Sequence, residues 1–283
     1  MKTGWIIYRK ADTLGNEGYI QWFIDEAQKQ DIELKFVMRE QLSVGIIDNK
    51  TEILKNGKPE RPDFAIIRTI EPLLNLHFET AGIPAFNSYE VSRIANDKAL
   101  AHSYVQQLGV PMNDTLFLHT DLLKQTPPLE FPFVLKQTGG RGGKEVYWIG
   151  SQDDWTSLLP KLPPVNLIAQ RTNVRHGKDL RVFVVGDEVV GAVLRESDAD
   201  FRANFKLGGK ATFYNLNANN LEPVQKIIDR FDFGMVGIDF LIGNDGKLLF
   251  NEIEDIVGSR TLSVTSNINI LEKYVALIRE RIE

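Results

Sequence analysis

Met235-Val-Gly-Ile-Asp-Phe-Leu-Ile242 and Lys247-Leu-Leu-Phe-Asn-Glu-Ile-Glu254 are two apolar runs joined by Gly243-Asn-Asp-Gly246. They read as a β-hairpin with one carboxylate inside the first strand and two at the end of the second. Side chains alternate faces along a strand, so Glu252 and Glu254 point the same way with Ile253 opposite. In the simplest register Asp239 reaches that face as well. Three crowded carboxylates repel unless they are protonated or bridged by cations, and two hard-cation sites would relieve the repulsion. A solvated acidic edge would also collect carboxylates, but an aspartate inside an apolar strand is costly in a purely structural role.

Working outward, residues 180–185 and 189–195 are strands joined by Gly186-Asp187, residues 224–231 a helix, and residues 271–282 an amphipathic helix. Further upstream, residues 92–108 read as one helix closed by Gly109, followed by a strand at 115–118. A strand-loop-strand unit follows, with Phe133-Val-Leu-Lys136, a glycine-rich loop over 137–144 and a strand at 145–149; a helix at 153–159 and a strand at 166–170 close the module. The first 90 residues alternate strands (5–8, 33–38, 63–68, 84–87) with helices (18–29, 72–81), and a hairpin over 45–56 turns on Asp48-Asn49. That alternation implies a parallel, Rossmann-like α/β layer. No GxGxxG follows the first strand, so dinucleotide binding there has no support.

The 283 residues are 43% apolar, enough to fill a genuine core, and the net charge of -5 offers no basic field for nucleic acid or an anionic membrane. There is no cysteine, which excludes disulfides, thiolate metal sites and thiol nucleophiles. Oxygen ligands and His77, His102, His119 and His176 remain, and a hard cation such as magnesium or manganese suits them. The N-terminal apolar stretch is too short for a signal peptide, and no run nears the roughly 18–20 apolar residues of a membrane span. The expectation is a cytoplasmic protein with neither nucleic-acid nor membrane partners.

Three further stretches carry chemistry. Thr138-Gly-Gly-Arg-Gly-Gly143 lies between Lys136 and Lys144, where glycine lets backbone N-H groups approach phosphate oxygens and lysine supplies countercharge. It is no Walker A loop, because the chain re-enters a strand rather than a helix, and a plain hairpin tip would look the same. In Gly177-Lys-Asp-Leu-Arg181, Asp179 and Arg181 share a face, where one accepts from hydroxyls and the other binds an oxyanion. Exposed strand-edge charges would look identical. Asp200-Phe-Arg-Ala-Asn-Phe-Lys-Leu-Gly-Gly209 repeats the theme with Arg202, Asn204 and Lys206.

Taken in order, Asn87-Ser88, Asn96-Asp97-Lys98, residues 133–136 with their glycine loop, residues 177–181, 184–191, 200–204 with Gly208-Gly209, Gly237-Ile-Asp239 and Asn251-Glu-Ile-Glu254 resemble the ATP-grasp superfamily. The resemblance is closest to its ribosomal-protein glutamate ligase-like and lysine-biosynthesis ligase-like branch. It implies an α/β chain with an ATP-grasp fold: a Rossmann-like substrate domain over 1–92, a central subdomain with a glycine-rich lid over 93–170, and a C-terminal subdomain with the metal site over 171–283. On this pattern Lys98 and Lys136 contact nucleotide phosphates and Thr138, Gly139, Gly140, Arg141, Gly142 and Gly143 close over them. Gln170, Arg171 and Thr172 hold adenine, and Asp179 meets ribose. Arg181, Arg195, Arg202 and Asn204 line the phosphate and carboxylate pocket, with Asp239, Glu252 and Glu254 as ligands to two magnesium ions.

The implied activity is an ATP-dependent carboxylate-amine ligase that makes an amide or peptide bond through an acyl phosphate, with an amino acid as one substrate and a small molecule, peptide or protein terminus as the other. A small-molecule kinase and a non-catalytic nucleotide-binding module are the alternatives. Dimers and tetramers are common among similar proteins, so a homo-oligomer is compatible. Three departures stand out. Arg171-Thr172 replaces an acidic residue followed by an aromatic or aliphatic one, leaving Gln170 to meet the adenine amino group. Glu254 replaces asparagine, and Glu254-Asp-Ile-Val-Gly258 replaces an Asn-x-x-Pro-Gly turn. The acceptor pocket is expected from Arg9, Arg68, Glu71 and residues 256–261, with Arg260 a candidate for a substrate carboxylate.

Overall fold

The computed structural model describes residues 1–140, 142, 145–198, 200–201 and 209–283. Its first strand, β1 (Lys2–Tyr8), buries Trp5, Ile6, Ile7 and Tyr8 in succession, which requires cover on both faces of the sheet. One helical turn, α1 (Lys10–Thr13), stands in a stretch to which the sequence pattern assigns no element. Then α2 (Glu17–Lys29) buries Ile20, Phe23 and Ala27, and β2 (Ile32–Met38) runs parallel to β1. β3 (Leu42–Ile47) and β4 (Lys50–Lys55) form the expected hairpin on Asp48 and Asn49, whose φ of 49° and 60° give the two-residue turn that matches strand twist. β5 (Lys58–Pro59) adds a third strand to it. β6 (Phe64–Ile67), α3 (Pro72–Thr80) and β7 (Ala85–Phe86) complete a parallel sheet of order β2-β1-β6-β7, as the alternation predicts.

The helix expected over 92–108 is two helices, α4 (Tyr89–Ala95) and α5 (Lys98–Gln106). A capping signal overrides the apolar periodicity: the Asp97 carboxylate accepts the N-H groups of Ala99 and Leu100 at 2.8 and 3.1 Å. The break makes Lys98 a first-turn residue, and its N-H donates to the Thr138 carbonyl. β8 (Thr115–His119), β9 (Phe133–Gln137), β10 (Val146–Ile149), α6 (Gln152–Leu158) and β11 (Asn166–Arg171) then form an antiparallel sheet of order β10-β9-β11-β8 around Phe133, Leu135 and Trp155.

The last module is a five-stranded antiparallel sheet. β12 (Val174–Val185) begins well before the expected residue 180 and pairs with β13 (Glu188–Glu196). β14 (Lys210–Phe213) is an edge strand that the sequence pattern does not reveal. α7 (Ala218–Ile228) starts before Pro223, because Asn217 and Asn220 cap it reciprocally. β15 (Met235–Gly243) and β16 (Leu248–Glu254) are the hairpin read from the sequence, α8 (Arg260–Thr265) is an unexpected short helix, and α9 (Ile270–Ile282) closes the chain. Sheet order is β14-β13-β12-β15-β16. No helix among the described residues is long and apolar enough to cross a membrane.

One core runs through both ends of the chain. Ile6, Phe23, Phe64 and Phe86 of the parallel layer pack with Phe183 and Met235 of the last sheet and with Leu271 and Tyr274 of α9. Asn87 ties the same two parts together. Its Nδ2 donates to the Met235 carbonyl and to Asp255, while its Oδ1 accepts the N-H groups of Gly234 and Met235 at 2.7 and 3.0 Å. Replacing it leaves several buried groups without partners, so Asn87→Leu is expected to cost about 3 kcal/mol, read as a lower urea midpoint at unchanged slope. A loss below about 1 kcal/mol would show that water or rearrangement replaces the hub.

Candidate active site

A cleft lies between the four-stranded and five-stranded antiparallel sheets. On its first wall Lys136 comes from β9, and its Nζ donates to Asn251 Oδ1 at 2.9 Å. Burial, with Lys98 nearby, pushes the Lys136 ammonium down to about 8 against the pull of Glu252. Lys98 donates to the Gly140 carbonyl at 2.6 Å and lies 3.1 Å from Glu252. Burial opposes ionisation of Glu252, yet Lys98 and Lys136 together hold it below its ordinary value.

The second wall is a row of charges set by sheet register. Arg195 on β13 faces Asp179 on β12, Arg181 on β12 faces Asp239 on β15, and Asp239 faces Glu252 on β16. Arg195 grips Asp179 with two bonds of 2.5 and 2.8 Å and reaches Asp239 at 2.8 Å. Arg181 grips Asp239 with two bonds of 2.7 Å and also pairs with Glu254. Asp239 is 1% exposed. Burial alone would raise it, but Arg181 and Arg195 hold it down to about 2. Burial, reinforced by the Asp239 charge, pushes Asp179 up to about 6 in spite of Arg195.

Two local devices make the row possible. Gly237 leaves room for Arg181: a Cβ there would lie 3.4 Å from Arg181 Nε and 2.9 Å from Val257 Cγ2. In β16, Asp239 pairs with Glu252 while Phe240 pairs with Phe250, so Asn251 is the extra residue of a β-bulge. The bulge brings Asn251 and Glu252 to the cleft together, whereas strict alternation would have turned Asn251 away.

Of the residues singled out from sequence, Lys98, Lys136, Gly140, Gly142, Gln170, Arg171, Thr172, Asp179, Arg181, Arg195, Glu252 and Glu254 line the cleft. Thr138 and Gly139 do not line it, and Thr138 is buried with its N-H bonded to Asn166. Asp239 sits behind Arg181 and Arg195 rather than on the cleft surface. Arg141, Gly143, Arg202 and Asn204, like Lys144 and Lys206, lie outside the described residues. Gln170 donates through Nε2 to Thr115 Oγ1 at 2.9 Å, and its buried Oε1 accepts nothing. The Arg171 side chain turns to Asp114 and Glu130, and the Thr172 hydroxyl donates to the Pro132 carbonyl.

His176 is on the cleft wall, its ring 4.8 Å from that of Trp148. His102 bonds the Asn251 carbonyl at 2.9 Å, and burial pushes it down to about 4. Asn251, Trp148 and His102 were given no role in the site from the sequence, although Asn251 opens the Asn251-Glu-Ile-Glu254 motif and His102 is one of the four histidines. Only Asn251 carries a signal there, its place beside Glu252. Arg9 lies 4.0 Å from Glu71, which Arg39 already grips at 2.6 and 2.7 Å, and Arg260 is exposed.

The oxygen-only donors Glu252 and Glu254, each with a side chain about one-third exposed to the cleft, suit a hard cation. Asp239 differs, since both its oxygens are taken by arginines. No three acidic or histidine side chains among the described residues converge closely enough to hold an ion as they stand.

A family model described as a RimK-like ATP-grasp domain matches residues 95–278, and the chain belongs to that family of ATP-dependent carboxylate-amine ligases. N-acetylaspartylglutamate synthase A from Homo sapiens is 26% identical over 260 residues, covering 86% of this chain and 66% of that protein. Glutamate–LysW ligase ArgX from Sulfurisphaera tokodaii is 26% identical over 267 residues, covering 89% of this chain and 95% of that one. Among solved structures, the ATP-grasp ligase PsnB, complexed with a phosphomimetic variant of a minimal precursor, Mg and ADP, aligns with a TM-score of 0.72. It is 14% identical, over 99% of this chain and 98% of that chain, and the likeness is one of fold.

Removing the charge of Asp239 leaves two buried guanidinium groups undercompensated. Asp239→Asn is therefore expected to lose roughly 3–5 kcal/mol of stability in urea denaturation. A loss under about 1 kcal/mol would mean that the arginines find other partners.

Proposed function

We propose that this chain transfers the γ-phosphoryl group of ATP to a substrate carboxylate and joins the activated acyl group to an amine, with an amino acid as one substrate. The observation that carries this reading is the meeting, within one cleft, of Lys98 with Glu252 and of Arg181 with Glu254, beside Lys136 on Asn251. Phosphoryl transfer asks for charge neutralisation and alignment rather than a protein nucleophile. Lys98 and Lys136 would bind phosphate oxygens, and the unbonded Gln170 Oε1 suits the adenine amino group that an acidic residue meets in relatives. Asp179 would be positioned by Arg195 to accept from ribose.

A carboxylate oxygen attacks the γ-phosphorus, ADP leaves, and the resulting acyl phosphate is attacked at carbon by the amine, which loses a proton as inorganic phosphate departs. Arg181 and Arg195 would balance negative charge at that end. Glu252 and Glu254 would hold magnesium, which when bound supplies positive charge to phosphate oxygens; Asp239 would join only after giving up an arginine contact. In this reading residues 1–92 form the substrate side, 93–170 the half bearing the glycine loop and 171–283 the half bearing the carboxylates.

Magnesium-dependent ADP release is expected only when both a carboxylate and an amine are supplied, measured over pooled amino acids and cell extract. Glu252→Ala should lower its rate by roughly 100-fold or more. A phosphorylated product formed without an amine, or turnover indifferent to Glu252→Ala, would count against ligation.

Lys136 sets a second expectation. Below about pH 8 the free protein already carries its ammonium, whereas above that pH the binding of phosphates must bring a proton with it. The Lys136 contribution to ADP affinity should therefore be flat below about pH 8 and fall by up to about tenfold per pH unit above it. Calorimetry in buffers of different ionisation enthalpy would show the proton uptake, and an affinity flat up to about pH 10 would exclude a Lys136-phosphate contact.

A further inference from the structure

Arg68 follows β6 at the C-terminal edge of the parallel sheet, with its N-H bonded to the Ile7 carbonyl of β1 at 2.8 Å. The sheet order β2-β1-β6-β7 makes the gap between β1 and β6 the point where the chain's progression across the sheet reverses, and in open α/β sheets ligands enter there. Arg68 is only 7% exposed, and no carboxylate among the described residues pairs with it. Its Nε bonds Tyr8 Oη at 3.2 Å and its Nη2 the Val257 carbonyl at 2.9 Å. The rings of Tyr19, Phe23 and Tyr8 lie 5.6, 5.8 and 6.0 Å from it. Neutral partners of this kind leave a buried guanidinium without a counterion.

The neighbouring hydroxyls are unsatisfied as well. The Tyr19 hydroxyl is buried without a well-formed hydrogen bond, and burial raises its pKa against the lowering pull of Arg68 and of the adjacent Ser259. Ser259 Oγ and Thr69 Oγ1 are equally unbonded, in residues each 2% exposed. Buried hydroxyls that bond nothing are rare, and those of Tyr19 and Ser259 beside an uncompensated cation make a donor-rich cluster lacking an anion. The cluster adjoins the cleft: Val257, whose carbonyl Arg68 holds, and Arg181 lie over the same side of Gly237.

We propose that the crevice between the ends of β1 and β6 binds the carboxylate of an amino-acid or peptide substrate, with Arg68 supplying the charge and Tyr19 and Ser259 the neutral donors. The assignment rests on the ligase reading for its role, since a carboxylate held there brings the rest of the substrate toward Arg181 and Glu254.

The test titrates the ADP- and magnesium-loaded full chain with single L-amino acids, with L-alanyl-L-alanine, and with the C-terminal amides of the same compounds. The best-bound acids should exceed their amides by about tenfold or more, and free amino acids and the dipeptide distinguish the two substrate sizes. Tyr19→Phe and Ser259→Ala should each weaken acid binding roughly five- to tenfold, while ADP affinity and thermal midpoint hold or rise. Arg68→Met should abolish it, with ADP affinity reporting whether that variant is folded. Equal binding of acid and amide, no binding by any carboxylate probe, or unchanged acid affinity in Tyr19→Phe and Ser259→Ala overturns the proposal. ADP release in the same panel reads the chemistry separately. Acid-over-amide preference without release sinks the ligase reading and keeps the crevice, whereas amine-dependent release with no such preference sinks the crevice alone.

Discussion

The architecture of the site depends on one carboxylate placed where a carboxylate is costly. Asp239 lies inside an apolar strand at 1% exposure, and only the two guanidinium groups of Arg181 and Arg195 make its charge tolerable. Those arginines come from different strands, so the ion cluster locks β12, β13 and β15 into a single register. Buried ion pairs contribute little net stability compared with apolar packing, because desolvation offsets most of the attraction. What this one contributes is placement. Asp179, Glu252 and Glu254 are each positioned relative to Asp239 or its arginines, on a rigid sheet rather than on loops.

Backbone irregularity then converts a regular sheet into a site. Without the extra residue at Asn251, β16 would present Glu252 and Glu254 alone, and Lys136 would lose its 2.9 Å partner. Without the break after Ala95, Lys98 would lie within a longer helix instead of in a first turn whose N-H reaches Thr138. In both places a departure from periodicity puts a polar side chain opposite a partner from another module.

Those departures also mark where the sequence is hard to read. The hairpin of β15 and β16 is plain from its two apolar runs and glycine-bounded turn, and the shared face of Asp239, Glu252 and Glu254 follows from alternation. The bulge is invisible, since nothing in Leu248-Leu-Phe-Asn-Glu252 says which residue is unpaired. Asp97 illustrates competition: its capping strength wins over an apolar period that runs on to Leu108. The arginine partners of Asp239 are 44 and 58 residues away in sequence, so charges that alternation could count could not be paired without the register. β14 is too short and too polar to declare itself, and Asn217 rather than Pro223 opens α7.

The shared core has a consequence in time. The inner face of the N-terminal sheet, with Ile6, Phe64 and Phe86, shares one core with Phe23 of α2 and with Leu271, Tyr274 and Val275 of α9. During synthesis the first sheet can pair its strands as soon as β6 and β7 emerge, with α2 covering part of its apolar face, while Phe183, Met235 and the residues of α9 that complete the same core are made later. Until α9 is made, the sides of α2 and β12 against which it packs stay open to solvent.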